Sequence, residues 1–358
     1  MKLVIFGLSI SSSWGNGHAT LWRGLCRSLA ARGHEIHFFE RDVPYYASHR
    51  DLTEIPGGHL YLYPDWEGVL RTAERIIRDA DVAMVTSYCA DGIAATDLVL
   101  DSNAQCRCFY DLDTGVTLTH VLSGRPVQYI GPRGLAEFDL VLSYTGGRAL
   151  TLLQTHLGAR RVAPLYGHVD PDVHRPAPPL ERFLADLSYL GTYAEDRQPA
   201  LEAFFIEPAR RLPECRFMLG GALYPQSFPW TDNIYFVRHL PPAEHSAFYC
   251  SSKLTLNITR KAMADFGYCP SGRLFEASAC GAAILSDDFE GLETFFEPGS
   301  EILVCHSADE AIDAIRRPAA ELSAMARRGR ERTLACHTSE IRARELEQLV
   351  GAGAPAEV

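Results

Sequence analysis

Short continuous apolar runs of strand length recur along the whole chain, and each is followed by a stretch with helical spacing. The runs at residues 3–6, 35–39, 82–86, 108–112, 140–144 and 162–166 occupy the first half. Those at residues 187–190, 217–219, 234–237, 254–258, 283–285 and 302–305 occupy the second. Strands that are apolar on both faces and separated by helices build parallel sheet covered on both sides. Between the first two runs, Leu21, Leu25 and Leu29 share one helical face, and Gly33 stops the helix. That is a βαβ unit.

At 358 residues the chain exceeds what one hydrophobic core comfortably fills, so two domains are expected. The stretch GHVDPDVHRPAPPL, residues 167–180, is rich in prolines that remove backbone donors, and it reads as the linker. The expected layout is one doubly wound domain over residues 1–170, a second over 171–335, and a C-terminal helix over 336–358 that packs back on the first. Open α/β sheets bind ligands at the carboxyl ends of their strands, so the chemistry belongs in the cleft between the two sheets.

Charge narrows the partners. With 45 acidic against 34 basic side chains the formal charge is −11, which repels nucleic acid and anionic lipid while leaving room for a locally positive pocket. The ten cysteines lack paired CxxC spacing, which argues for reduced thiols in a cytoplasmic protein rather than a structural zinc site. The apolar opening at residues 3–6 is too short for a signal-peptide core, and no stretch is long enough to span a membrane.

Two segments carry chemistry. In the first, SSSWGNGHAT, the residues Trp14, Gly15, Asn16 and Gly17 precede His18 at the start of a helix. Glycine lets a ligand approach the backbone, and a helix start offers unpaired N–H groups to an anion or polar substrate. GNGHAT completes neither GxGxxG nor a P-loop, so a nucleoside triphosphate site is unsupported. A neutral His18 can take a proton; equally, it can cap or pack while the glycines make a tight turn.

In the second, PSGRLFEASACGAAILSDDFEGLETFF, Ser271 and Gly272 bring a helix start close to phosphate, Arg273 can fork onto its oxygens, and Glu276 can hold a ribose diol. Gly191, Thr192 and Arg197 follow the first strand of this half, and Arg260 follows the strand LTLNIT. Three arginines converging at one sheet edge would neutralise a departing diphosphate without a metal; taken singly, each reads as a solvated surface residue.

These segments resemble a glycosyltransferase of GT-B architecture, two Rossmann-like doubly wound domains facing across a cleft, and most of all the CgeB-type spore-maturation glycosyltransferases. The resemblance rests on FGLSISSSWGNGHAT and GHEIHFFERDVPYY in the first half and on SGRLFEASACGAAILSDDFEGLETFF in the second. It implies transfer of a sugar from a nucleoside-diphosphate sugar, held by the C-terminal domain, to a hydroxyl-bearing acceptor, with no cofactor or metal required. Glu276 matches the glutamate that holds the donor ribose in that family. Glycogen-synthase-like retaining relatives carry another glutamate eight residues earlier, where this chain has Tyr268, so the anomeric outcome stays open. Some inverting members use a histidine in the first glycine turn as base, and His18 stands in a comparable place.

YDLDTG contains a literal DxD, Asp111 and Asp113. One short match is weak support for a metal-dependent site, and both aspartates are expected as acceptor contacts or turn formers, with Asp113 placed beside His18 among the catalytic candidates on the acceptor side. His120, His168, His174 and His245 lack metal-ligand spacing and read as surface or core residues. Trp14, Trp22, Tyr45 and Tyr46 can stack on a sugar or sit in the core. Two alternatives to transfer remain: nucleotide-sugar epimerisation or hydrolysis, and a non-catalytic nucleotide-sugar-binding subunit.

Overall fold

The computed structural model describes residues 1–351. The chain divides into two compact units, residues 1–166 together with the segment from Ser339 onward, and residues 167–338. The seam therefore falls four residues before the expected boundary at 170, and the proline-rich stretch 167–180 belongs to the second unit. The C-terminal helix runs Ser339–Gly351, within the expected segment 336–358, and residues 352–358 lie outside the described residues.

The first unit holds strands β1 (Lys2–Gly7), β2 (Glu35–Arg41), β3 (Gly58–Tyr63), β4 (Val82–Thr86), β5 (Cys106–Asp111), β6 (Leu140–Ser143) and β7 (Val162–Pro164). They pair in parallel in the order β3-β2-β1-β4-β5-β6-β7. In β1 and β4 nearly every side chain is buried on both faces. This is why they read as unbroken apolar runs. Edge strand β3, GHLYLY, is mostly half-exposed or exposed and was passed over in the reading of apolar runs. Helix α1 (Gly17–Ala31) buries Ala19, Trp22, Leu25, Cys26 and Leu29 and ends at Gly33, whose φ of +85° suits the left-handed turn.

The last described helix also belongs to this unit. Its Glu347 accepts Arg32 Nε at 2.7 Å and Nη2 at 2.5 Å and pairs with His34 Nε2 at 2.5 Å.

The second unit holds β8 (Ala185–Leu190), β9 (Phe217–Gly221), β10 (Ile234–Arg238), β11 (Ser252–Asn257), β12 (Ile284–Ser286) and β13 (Leu303–Val304). These too are parallel, ordered β10-β9-β8-β11-β12-β13. Leu187, Leu219, Leu254, Leu256, Leu285, Phe205 and Phe217 form its core. Burial of each such side chain contributes about 1.5–3 kcal/mol.

In each sheet the strand order reverses direction beside the first strand of its unit, so a switch point opens at the carboxyl ends of β1/β4 and of β8/β11. Among the described residues, the non-glycine positions with positive φ are Tyr88, Leu223, His239 and Tyr268. Tyr88, Leu223 and His239 lie just past the carboxyl ends of β4, β9 and β10, while Tyr268 lies beyond β11 and a short helix, Lys261–Ala264. Such conformations cost about 1–3 kcal/mol each and gather at functional edges.

Candidate functional site

The glycine turn of the first unit is organised by a residue with no role in the sequence reading. Glu40, at the end of β2, is fully buried. Its carboxylate accepts the amides of Ile10 at 2.8 Å and Ser11 at 2.9 Å and the hydroxyls of Ser9 at 2.8 Å and Ser11 at 2.6 Å. Those two amides are therefore spent on an internal anion. Asn16 then caps α1: its Oδ1 accepts the His18 amide at 3.0 Å, while its Nδ2 donates to the carbonyls of Ser9 and Ser12, each at 3.0 Å. Gly15, with φ +58°, makes the turn against Tyr45, and the space beside Gly17 is open.

Rigid support on both sides places the His18 ring. Its Nε2 lies 2.8 Å from Asp113 Oδ2, an oxygen that also accepts the Ser87 hydroxyl at 3.0 Å. Asp113 sits at the start of α2 (Thr114–Leu122), just beyond β5. With the carboxylate as acceptor, the imidazole carries its proton on Nε2 and keeps a lone pair on Nδ1, which makes no hydrogen bond.

Asp111 takes the turn-forming place among the two expected for it. It is fully buried, accepts the Asp113 amide at 3.0 Å, and is pushed up to about 7 by burial first and by the Asp113 charge second. It shapes the turn that aims Asp113 and touches no solvent. Trp22 is core, packed edge-on to Phe38 and Tyr110, and Trp14 stacks on His49 with ring centroids 4.0 Å apart.

In the second unit the three arginines come together at the carboxyl end of β8. Arg273, in the first turn of α4 (Gly272–Ala279), donates Nε to the Leu190 carbonyl at 2.5 Å and Nη1 to Asn257 Oδ1 at 2.9 Å. Its guanidinium lies 4.9 Å over the Tyr189 ring. Arg197 donates Nη1 to the Thr192 carbonyl at 3.1 Å, and its Nε is buried without a partner. Burial first, and then the nearby Arg273 and Arg260 charges, pull Arg197 below its ordinary range. Arg260, more exposed, pairs with Asp196 at 3.4 Å. Ser271 caps α4 by accepting the Arg273 amide.

Gly191 is forced by this arrangement, because a Cβ there would stand 2.8 Å from Tyr189 Oη and 2.9 Å from Arg273 Nη2. Gly221 is forced as well, since a Cβ would stand 2.0 Å from the Gly191 carbonyl oxygen.

Asn257 and Asp287 were not singled out from sequence. Asn257 links Arg273 to Ser286, and Asp287 accepts the Thr259 amide at 2.8 Å and hydroxyl at 3.0 Å. Burial raises Asp287 to about 6. The acidic loop SDDFE therefore works through Asp287 as a brace for the turn that carries Arg260. Glu276 faces the Tyr249 hydroxyl, 3.5 Å from its Oε2. Tyr268 packs its ring against Gly291, so no carboxylate occupies the position eight residues before Glu276.

Residues 197–348 match the family described as glycosyl transferase-like. Solved structures align over nearly the whole length of the chain. A sucrose-phosphate synthase from Thermosynechococcus elongatus is 16% identical over 98% of both chains, with a TM-score of 0.72. HepE of Anabaena, in complex with UDP-glucose, is 10% identical over 98% of this chain and 100% of its own, with a TM-score of 0.70. An alpha-glucosyltransferase in complex with UDP is 12% identical over 98% and 100%, with a TM-score of 0.72. At these identities the likeness shows the fold, which is GT-B. No curated protein matches the sequence. Among the described residues no helix is long and apolar enough to cross a membrane.

Proposed function

We propose that this GT-B glycosyltransferase moves a sugar from a nucleoside-diphosphate sugar to an acceptor hydroxyl without a metal. The observation that carries the reading is the pairing of Arg197 and Arg273 with main-chain carbonyls and an amide oxygen. Neither guanidinium has a carboxylate within ion-pair reach among the described residues. Cations gathered away from water without a counter-ion are costly unless an anion completes them. A diphosphate is that anion, and it lies where the start of α4 adds its own N–H groups.

On this reading Arg197, Arg260 and Arg273 hold the diphosphate with Ser271, Gly272, Gly191 and Thr192 around it, and Glu276 accepts the ribose hydroxyls. The acceptor oxygen attacks the anomeric carbon as the bond from that carbon to the diphosphate oxygen breaks. The acceptor proton passes to the His18 imidazole, and the nucleoside diphosphate departs with the bonding electrons, its charge spread over the arginines. Asp113 holds His18 in the required tautomer and stabilises the imidazolium that forms, with Ser87 fixing the carboxylate. HepE and the alpha-glucosyltransferase bear UDP in their solved complexes, which makes UDP-sugars the first donors to try.

The test is thermal stabilisation by UDP, GDP, ADP, CMP and dTDP and their sugar conjugates, with and without EDTA. The expected result is a selective shift for one nucleoside diphosphate that EDTA leaves unchanged. Absence of any shift refutes the donor site, and a shift that EDTA abolishes refutes metal independence.

A further inference from the structure

Close to the proposed donor site the second unit packs three ligand-type side chains against one another. His174 is 1% exposed, and neither of its ring nitrogens makes a hydrogen bond. His245, on α3 (Pro242–Cys250), points Nε2 at the Leu240 carbonyl, 3.3 Å away, while its shielded Nδ1 has no partner. The two rings have centroids 5.9 Å apart. One ligand atom from each of His174, His245 and Glu276 lies within 4.8 Å of the other two.

A buried imidazole with both nitrogens unpaired forfeits hydrogen bonds that water would supply, and such groups call for an explanation. The orientation of His245 supplies one. An imidazole that donates one ring N–H to a backbone carbonyl presents the lone pair of its other nitrogen in a fixed direction, which is how metal-ligating histidines are held. With Nε2 given to the Leu240 carbonyl, that lone pair is on Nδ1. Two imidazole nitrogens and one carboxylate oxygen are a donor set of zinc sites, and imidazole also suits cobalt, nickel and copper. Closing the three atoms around such an ion needs only a small inward movement, since ligand bonds near 2.0–2.2 Å place ligand atoms somewhat closer together than they stand here.

We propose that His174, His245 and Glu276 form a binding site for one divalent transition-metal cation of the zinc class. If Glu276 also holds the donor ribose, as proposed above, cation and donor draw on the same carboxylate and each weakens the other's binding. The cation is then an inhibitor of transfer rather than a participant in it.

The test is calorimetric titration of Zn²⁺ into the metal-free full-length protein, repeated with Co²⁺ followed by visible absorption. One saturable site is expected, with affinity lowered at least about tenfold in His174→Gln and in His245→Gln. His59→Gln, which alters a separate group of Glu35, His37 and His59 in the first unit, should leave that site intact. Thermal melts of the metal-free variants confirm that they fold. Zinc binding that is absent in the wild type or unchanged in both histidine variants overturns the proposal, as does a Co²⁺ spectrum dominated by thiolate ligation. Intact zinc binding without competition from nucleoside diphosphate supports the site and removes Glu276 from the donor pocket. Loss of zinc binding leaves the donor reading untouched.

Discussion

Arg197→Met should strengthen the empty protein and weaken its grip on nucleotide. The Arg197 charge sits among two other guanidiniums, makes one hydrogen bond to a main-chain carbonyl, and has a buried Nε without a partner. Its pKa is lowered in the folded state, so at neutral pH, below both the folded and unfolded values, the charged form costs stability. Methionine keeps the length of the side chain and removes that cost. Stabilisation of about 0.5–2 kcal/mol is expected, and for a unit of this size each kcal/mol raises Tm by roughly 2–4 °C. Loss of one charge-assisted bond to phosphate removes about 1.5–3 kcal/mol of binding, or about 10- to 150-fold in Kd. Thermal melts without ligand and calorimetric titration with the preferred nucleoside diphosphate read the two effects separately. A variant that melts lower than wild type, or binds nucleotide equally well, refutes the counter-ion argument.

His18→Gln should retain nucleotide affinity and lose about 10²- to 10⁴-fold in transfer, and Asp113→Asn should lose activity by freeing the His18 tautomer; turnover near wild type in either would reduce the pair to a turn support. Use of His18 as base further entails inversion at the anomeric carbon, checked by NMR of the product, and a retained anomer would assign His18 to positioning alone. Gly191→Ala should weaken nucleotide binding about as much as removal of Arg273, because the new methyl group displaces that guanidinium; calorimetry showing an unchanged Kd contradicts this. Asp111 keeps its proton up to about pH 7 when folded and loses it near pH 4 when unfolded. The unfolded state therefore binds fewer protons between those values, and stability falls as pH rises through that window. Asp111→Asn should flatten that slope in urea melts, and a slope equal to wild type would show that another group sets it.

The two parallel sheets were legible because strands buried on both faces are largely apolar, as β1 and β4 show. Strand β3 was passed over although its last four residues, LYLY, form such a run. The arginines could be placed at one sheet edge from their positions after strands. What the sequence hid were contacts between residues far apart in the chain. Glu40 governs the glycine turn from the end of β2, Asn257 and Asp287 brace Arg273 and Arg260 from two strands, and His174 meets His245 across 71 positions. Spacing rules see neighbours along one element, whereas these partners are assembled by the sheet. Asp111 illustrates the converse: a DxD reads as two equivalent acids, but alternation along the end of β5 buries Asp111 and leaves Asp113 to reach His18.

The most direct test is release of nucleoside diphosphate from UDP-, GDP-, ADP- and dTDP-sugars, followed by mass spectrometry with a panel of hydroxyl-bearing acceptors in EDTA. The account predicts that one donor yields its diphosphate together with a glycosylated acceptor, and that His18→Gln abolishes this while still binding the nucleotide. Turnover that requires an added divalent cation, or that survives loss of His18, would contradict it.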